Sequence, residues 1–244
     1  MKHDQARWQL VSLDLDGTLL DTAPLIAEAA NAALAEHGVE PRALGEVRDL
    51  IGDGTRELVL GLLARCWLER PALADRIRPE AVLASMERQL ERVGARPARV
   101  FPGAREALEA LKHAGVRLAC VSNKEVRHAA RMLAAAKLDT HFDLLVGGDT
   151  LPHKKPHPSV LRHVAAALGV DVRRAAHVGD AETDVAAARN AGFAAWTVPY
   201  GYNRGAPIEA ARPDRVFADL LAMAHHAIGD HATPARTPAL KAAA

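Results

Sequence analysis

Two carboxylates, a glycine and a hydroxyl fall within five residues at Asp14-Leu15-Asp16-Gly17-Thr18, directly after an aliphatic run that begins at Leu10. The run from Leu10 to Leu15 has the make-up of a strand buried on both faces. Asp14 nevertheless lies inside it, where an unpaired carboxylate is costly to desolvate. Such a charge calls for a partner, and a metal ion would serve. Gly17 permits a sharp turn and a close approach to a ligand, and Thr18 adds a hydroxyl and a backbone N–H where oxyanions could be held. An Asp-Gly pair alone is an ordinary turn, but the whole pattern arises by chance in about one chain of this length in several hundred. It reads as the floor of an active site.

Three further polar groups follow apolar runs in the same way. Ser122-Asn123 come after residues 116–121, Lys154 and Lys155 lie in the Gly-, Pro- and His-rich loop 147–158, and Asp180 with Asp184 follow residues 175–178. Three or four carboxylates in one pocket repel one another unless a hard cation sits among them. Mg²⁺ is the natural candidate, because it takes oxygen ligands, keeps waters and leaves a position for a phosphate oxygen. One lysine and one serine could hold the other phosphate oxygens. Asp14 could attack phosphorus as a carboxylate nucleophile, and Asp16 could protonate the leaving alkoxide and later activate water.

The elements that must position these groups follow from periodicity. Thr22 can cap a helix with Pro24 in its first turn, and Leu25, Ile26, Ala29, Ala30, Ala33 and Leu34 form its apolar stripe up to Gly38. Helical segments follow at about 44–51, 55–68 and 79–93 with no strand between them, and helix then alternates with strand to the last helix near 220–228. The expected fold is α/β: a doubly wound parallel-sheet, Rossmann-like core from residues 1–21 and 100–228, with a helical cap, residues 22–99, inserted after the first strand. Residues 229–244, rich in Ala, Thr and Pro, are expected to form a disordered tail. In an open parallel sheet the ligand site lies beyond the carboxyl ends of the strands. All four polar clusters occupy that position, so the fold would bring them together across most of the sequence.

Composition excludes several classes of function. The 244 residues carry 31 Lys and Arg against 30 Asp and Glu, a net charge of +1, so no global field draws in nucleic acid or an anionic membrane. Aromatic residues are 4% of the chain, too few to interleave a basic patch for stacking on bases. No apolar run approaches a membrane span and no signal core opens the chain, so a cytoplasmic location is expected. Cys66 and Cys120 read as small core residues. His153 and His157 lack a third ligand and read as loop histidines, Glu182 as an exposed residue at a helix start, and one of Lys154 and Lys155 as a surface charge. The expected partner is a small anionic phosphate-ester substrate, with monomer and homodimer both open.

In order and spacing, Asp14-Leu15-Asp16-Gly17-Thr18, Ser122-Asn123, Lys155-Pro156 and Gly179-Asp180 with Asp184 resemble the four motifs of the haloacid-dehalogenase-like hydrolases. The likeness spans Leu10 to about Ile228. It implies Asp14 as nucleophile, Asp16 as acid and base, Ser122 and the Asn123 backbone as phosphate binders beside Gly17 and Thr18, and Lys155 as charge neutraliser, which makes Lys154 the surface charge. It also implies Mg²⁺ on Asp14, the Asp16 carbonyl and Asp180, with Asp184 orienting the site from behind, and a cap that excludes water. The segments Leu50 to Leu58, Gly147 to Pro158 and Tyr200-Gly201-Tyr202-Asn203 resemble the phosphoglycolate phosphatases within that family, which implies hydrolysis of 2-phosphoglycolate. Arg56, in the cap turn, is a sensible partner for a substrate carboxylate. A dehalogenase would not normally keep Asp16, and a non-catalytic sensor would lack Asp14 or Asp16. A phosphosugar mutase of the β-phosphoglucomutase type, or a phosphatase for another small ester or nucleotide, would keep the same core residues.

Overall fold

The computed structural model describes residues 8–229; the expected tail lies, from residue 230 onward, outside them. The chain opens with strand β1 (Leu10–Leu13) and the short β2 (Leu20–Asp21), then runs through helices α1 (Ala23–Glu36), α2 (Leu44–Arg48), α3 (Thr55–Glu69) and α4 (Pro79–Val93). It returns through β3 (Arg99–Val100), α5 (Ala104–His113), β4 (Arg117–Val121), α6 (Val126–Ala135), β5 (Leu144–Val146) and α7 (Pro158–Leu168). The last elements are β6 (Ala175–Gly179), α8 (Glu182–Ala191), β7 (Ala194–Thr197), β8 (Arg215–Val216) and α9 (Leu220–Ile228).

Six strands form one parallel sheet in the order β5-β4-β1-β6-β7-β8. The chain builds outward from β1 through β4 to β5, then crosses back to lay β6 on the other side of β1. The crevice where the order reverses therefore opens at the carboxyl end of β1, where an open α/β sheet takes its ligands.

Side chains alternate between the two faces of the sheet, as period two requires. Leu118 and Cys120 of β4 join Val11 and Leu13 of β1 on the face covered by α5 and α9, while Ala119 and Val121 join Leu10 on the face covered by α7 and α8. Burial on both faces explains why these strands read as continuous apolar runs.

Helices α1 to α4 form the insert, with α4 packed against α1 and α3. Both chain crossings between insert and sheet are stitched together by β2 and β3, an antiparallel pair with Leu20 opposite Val100 and Asp21 opposite Arg99. An Arg99–Asp21 ion pair at 2.8 Å closes that ribbon. Neither β2 nor β3 was expected, and nor was the edge strand β8; each has two residues, too few to show a period.

Thr22 precedes α1 as expected, but its side chain does not cap the helix. Its hydroxyl donates instead to Asp16 Oδ1 at 2.6 Å, which turns a local helix signal into a contact with the first motif.

Candidate active site

Four strand ends deliver the expected residues to one place. Asp14 leaves β1 with its backbone N–H donating to the Val178 carbonyl at 2.9 Å, so β6 fixes where its side chain begins. Lys155 reaches across from the loop before α7, and its ammonium donates to Asp14 Oδ1 at 2.8 Å, Asp184 Oδ1 at 2.7 Å and the Val121 carbonyl at 2.8 Å. All three of its N–H groups are used. Asn123 holds that loop in place. Its Oδ1 accepts the Lys155 backbone N–H at 2.8 Å, and its Nδ2 donates to the Lys155 carbonyl and to the Gly52 carbonyl of the insert, each at 3.0 Å. Its side chain is thus committed to positioning.

Asp180 is fixed from both sides: Thr18 Oγ1 donates to its Oδ1 at 2.7 Å and the Tyr202 N–H to its Oδ2 at 2.5 Å. The Thr18 hydroxyl, expected among the phosphate binders, orients this carboxylate. Gly17 has φ +87°, and a Cβ there would lie 2.4 Å from Asp180 Oδ2, so no side chain fits between the first and last motifs. Asp184 accepts from Lys155 and pairs with His177 Nε2 at 3.1 Å. On the other ring nitrogen, His177 Nδ1 meets Ser12 Oγ at 2.9 Å across the β1–β6 register. With a carboxylate at Nε2, that atom carries the hydrogen and Nδ1 accepts from the serine.

Burial dominates the electrostatics. It pushes Asp14 up to about 7; the Lys155 ammonium opposes the rise, and the Asp184 and Asp16 charges add to it. Asp180 is likewise raised by burial and by the charges of Asp184 and Asp14. Asp184 goes the other way: burial would raise it, but Lys155 and the His177 hydrogen bond outweigh that and hold it below the ordinary carboxylate range. Burial lowers His177, keeping the imidazole neutral.

The carboxylates of Asp14, Asp180 and Asp184 bring ligand atoms within 4.8 Å of one another, all buried. An all-oxygen donor set with more negative charge than Lys155 can balance fits a hard divalent cation. Asp184, expected to orient the site from behind, lies as close as the other two.

Asp16 stands beside Asp14 with both oxygens engaged, Oδ1 by Thr22 and Oδ2 by the Lys124 ammonium at 3.1 Å. Asp14 and Asp16 together border two cavities. One is acidic, being lined also by Asp180 and Asp184 together with Lys155 and Tyr202. The other lies under the insert, with Ser122 and Lys124 on its core side and Ile26, Ile51, Leu58, Met86 and Leu90 as its apolar roof. Ile51 and Gly52 border both.

Arg56 is not brought to this site. Thr55 and Leu58, one helical turn apart, face the cavity, while Arg56 and Glu57 between them are exposed. Lys154, expected as a surface charge, instead ties the core to the insert turn through the Asp53 carbonyl and Glu57 Oε2, the latter at 2.7 Å. Arg204–Asp53 and Thr55–Glu125 contacts add to that seam. Thr22, Lys124, His177 and Tyr202 are residues that the motifs did not mark. Lys124 lies next to Ser122-Asn123, Thr22 was read as a helix cap, and Tyr202 sits in the segment Tyr200 to Asn203 that carries the subgroup likeness; His177, inside an apolar run, carried no signal.

The sequence profile described as haloacid dehalogenase-like hydrolase matches residues 8–192. A phosphoglycolate phosphatase (plasmid) of Cupriavidus necator is 40% identical over 226 residues, 93% of this chain and 94% of that protein. A phosphoglycolate phosphatase of Pseudomonas putida is 37% identical over 215 residues, 88% of this chain and 78% of that one. Among solved structures, one described as a predicted phosphoglycolate phosphatase of Haemophilus somnus superposes with a TM-score of 0.83 at 29% identity, covering 89% of this chain and 96% of that one. With the four motifs converging as they do, the chain belongs to the haloacid dehalogenase-like hydrolases.

Proposed function

We propose that this phosphatase hydrolyses a small phosphate monoester, 2-phosphoglycolate, in two steps through a phosphorylated Asp14. The observation that carries the reading is the position of Asp14 and Asp16 at the junction of an acidic cavity and an apolar-roofed one. Phosphorus at that junction would lie against both carboxylates, with the organic group under the insert. Asp14 attacks phosphorus and Asp16 delivers a proton to the departing alkoxide. Asp16 then takes a proton from the water that cleaves the acyl phosphate.

Lys155 neutralises Asp14 and keeps it pointed at the substrate, while Ser122 supplies a hydroxyl to the phosphate oxygens. Asp14, Asp180 and Asp184 would hold a divalent cation, with Mg²⁺ the proposed ion. Bound there, it would neutralise charge building on the phosphoryl oxygens.

The roof supports a small substrate over a phosphosugar. Ile26, Ile51, Leu58, Met86 and Leu90 offer no hydrogen-bond partners to sugar hydroxyls, and leaving such groups unpaired is costly. The names of the similar phosphatases point to the same substrate.

The test is phosphate release with Mg²⁺ from 2-phosphoglycolate, a hexose phosphate, a nucleoside monophosphate and an aryl phosphate. A kcat/KM for 2-phosphoglycolate above the others by about tenfold or more is expected. Preference for the hexose phosphate, or its isomerisation without phosphate release, would refute the reading.

A further inference from the structure

The two lysines flanking Asp14 and Asp16 are in opposite states of satisfaction. Lys155, on the acidic side, spends its three N–H groups on three protein acceptors. Lys124 lines the cavity under the insert, its side chain is only 7% exposed, and among the described residues its ammonium has a single protein partner, Asp16 Oδ2 at 3.1 Å. A nearly buried ammonium with two donors facing a cavity is suited to an acceptor there, water in the free protein and an anionic group of a bound substrate.

We infer that Lys124 is the specificity residue for a second anionic group of the substrate, a carboxylate one or two carbons from the ester oxygen. This rests on the phosphatase reading above and assigns the part of the substrate that the reading leaves without a partner.

Three features of the cavity agree. Lys124 and Ser122 stand on its core side two residues apart, so one chain segment can meet phosphate at Ser122 and a neighbouring anion at Lys124. Gly54 and Thr55, the N-cap and first residue of the 15-residue α3, line the same cavity, so the positive end of that helix faces the same region as the ammonium. Among the described residues, no arginine lines it, so the guanidinium fork that suits a second phosphate is missing. The apolar roof then accepts the intervening carbon.

The assignment also accounts for the position of Arg56. A carboxylate needs a cation on the cavity wall, and Arg56 is exposed on the far side of α3's first turn.

Because Lys124 also touches Asp16, its removal would lower turnover of any ester, and the decisive quantity is a ratio. We would measure kcat/KM of wild type, Lys124→Met and Lys124→Arg on 2-phosphoglycolate and on 2-hydroxyethyl phosphate, an uncharged analogue. Thermal melts of each variant would establish folding. Lys124→Met should lose about 10- to 100-fold more on the carboxylated ester than on the uncharged one, the worth of one charged hydrogen bond. Lys124→Arg should keep most of the discrimination. Inhibition by glycolate should be seen in wild type and lost in Lys124→Met.

An equal loss on both esters, with glycolate inhibition kept, would overturn the assignment and leave Lys124 as a partner of Asp16 alone. The substrate reading stands or falls separately on the wild-type panel. If another carboxylated ester wins that panel, the same ratio measured on it still decides the role of Lys124.

Discussion

At the residue scale, the site is a set of carboxylates whose environments have been made unequal. Asp14 and Asp180 are raised by burial among like charges, Asp184 is held down by Lys155 and His177, and Asp16 is held by a hydroxyl and an ammonium. Thr18 shows how little of this a motif conveys: its hydroxyl donates to Asp180. Thr18→Val should therefore raise the Mg²⁺ concentration needed for half-maximal activity by about 10- to 100-fold, the usual cost of removing a partner that orients a metal ligand. Thr18→Ser should restore it. An unchanged Mg²⁺ requirement in Thr18→Val would return Thr18 to the phosphate side. Asp14, Asp16, Lys155 and the last two aspartates were legible because their spacing follows strand ends. Thr22, Lys124, His177 and Tyr202 were not, because their roles arise from contacts between residues far apart in the chain or from a side chain diverted from a local use.

At the scale of elements, the strands and longer helices were legible from periodicity, and the helices 79–93, 158–168 and 220–228 have the bounds expected. The two-residue strands were not legible, although β2 and β3 brace both crossings; the turn at residues 52–55, marked by its glycines, is tied to the core by Asn123, Lys154, Arg204 and Glu125. Within the insert, Glu36 at the end of α1 accepts from Ser85, Gln89 and Arg88 of α4, and these bonds lower its carboxyl from the ordinary 4.5 to about 2. A pKa lowered by folding gives stability that is present above 4.5 and lost as pH falls toward 2. Wild type should therefore melt higher than Glu36→Gln at neutral pH, and the gap should close across that interval. A gap that stays constant with pH would show that the Glu36 charge does not hold α1 to α4.

At the scale of the whole molecule, the sheet order does the assembling. β1 lies between β4 and β6, so side chains from positions 14, 122, 155 and 180 meet although most of the chain separates them. The insert then closes an apolar roof over one side of that meeting point, leaving the carboxylate cluster on the other. Among the described residues no helix is long and apolar enough to cross a membrane, in keeping with the composition. Convergence of strand ends could be read from sequence; the two-sided division of the site, with Lys155 held by three acceptors on one side and Lys124 paired with Asp16 on the other, required the packing of the insert.

The central claim is that Asp14 carries the phosphoryl group, and acid-quenched turnover of radiolabelled 2-phosphoglycolate tests it most directly. Wild type should yield a label that maps to the peptide containing Asp14, and Asp14→Asn should show neither label nor turnover while melting as a folded protein. Appreciable turnover by Asp14→Asn, or a label on any other residue, would contradict the account.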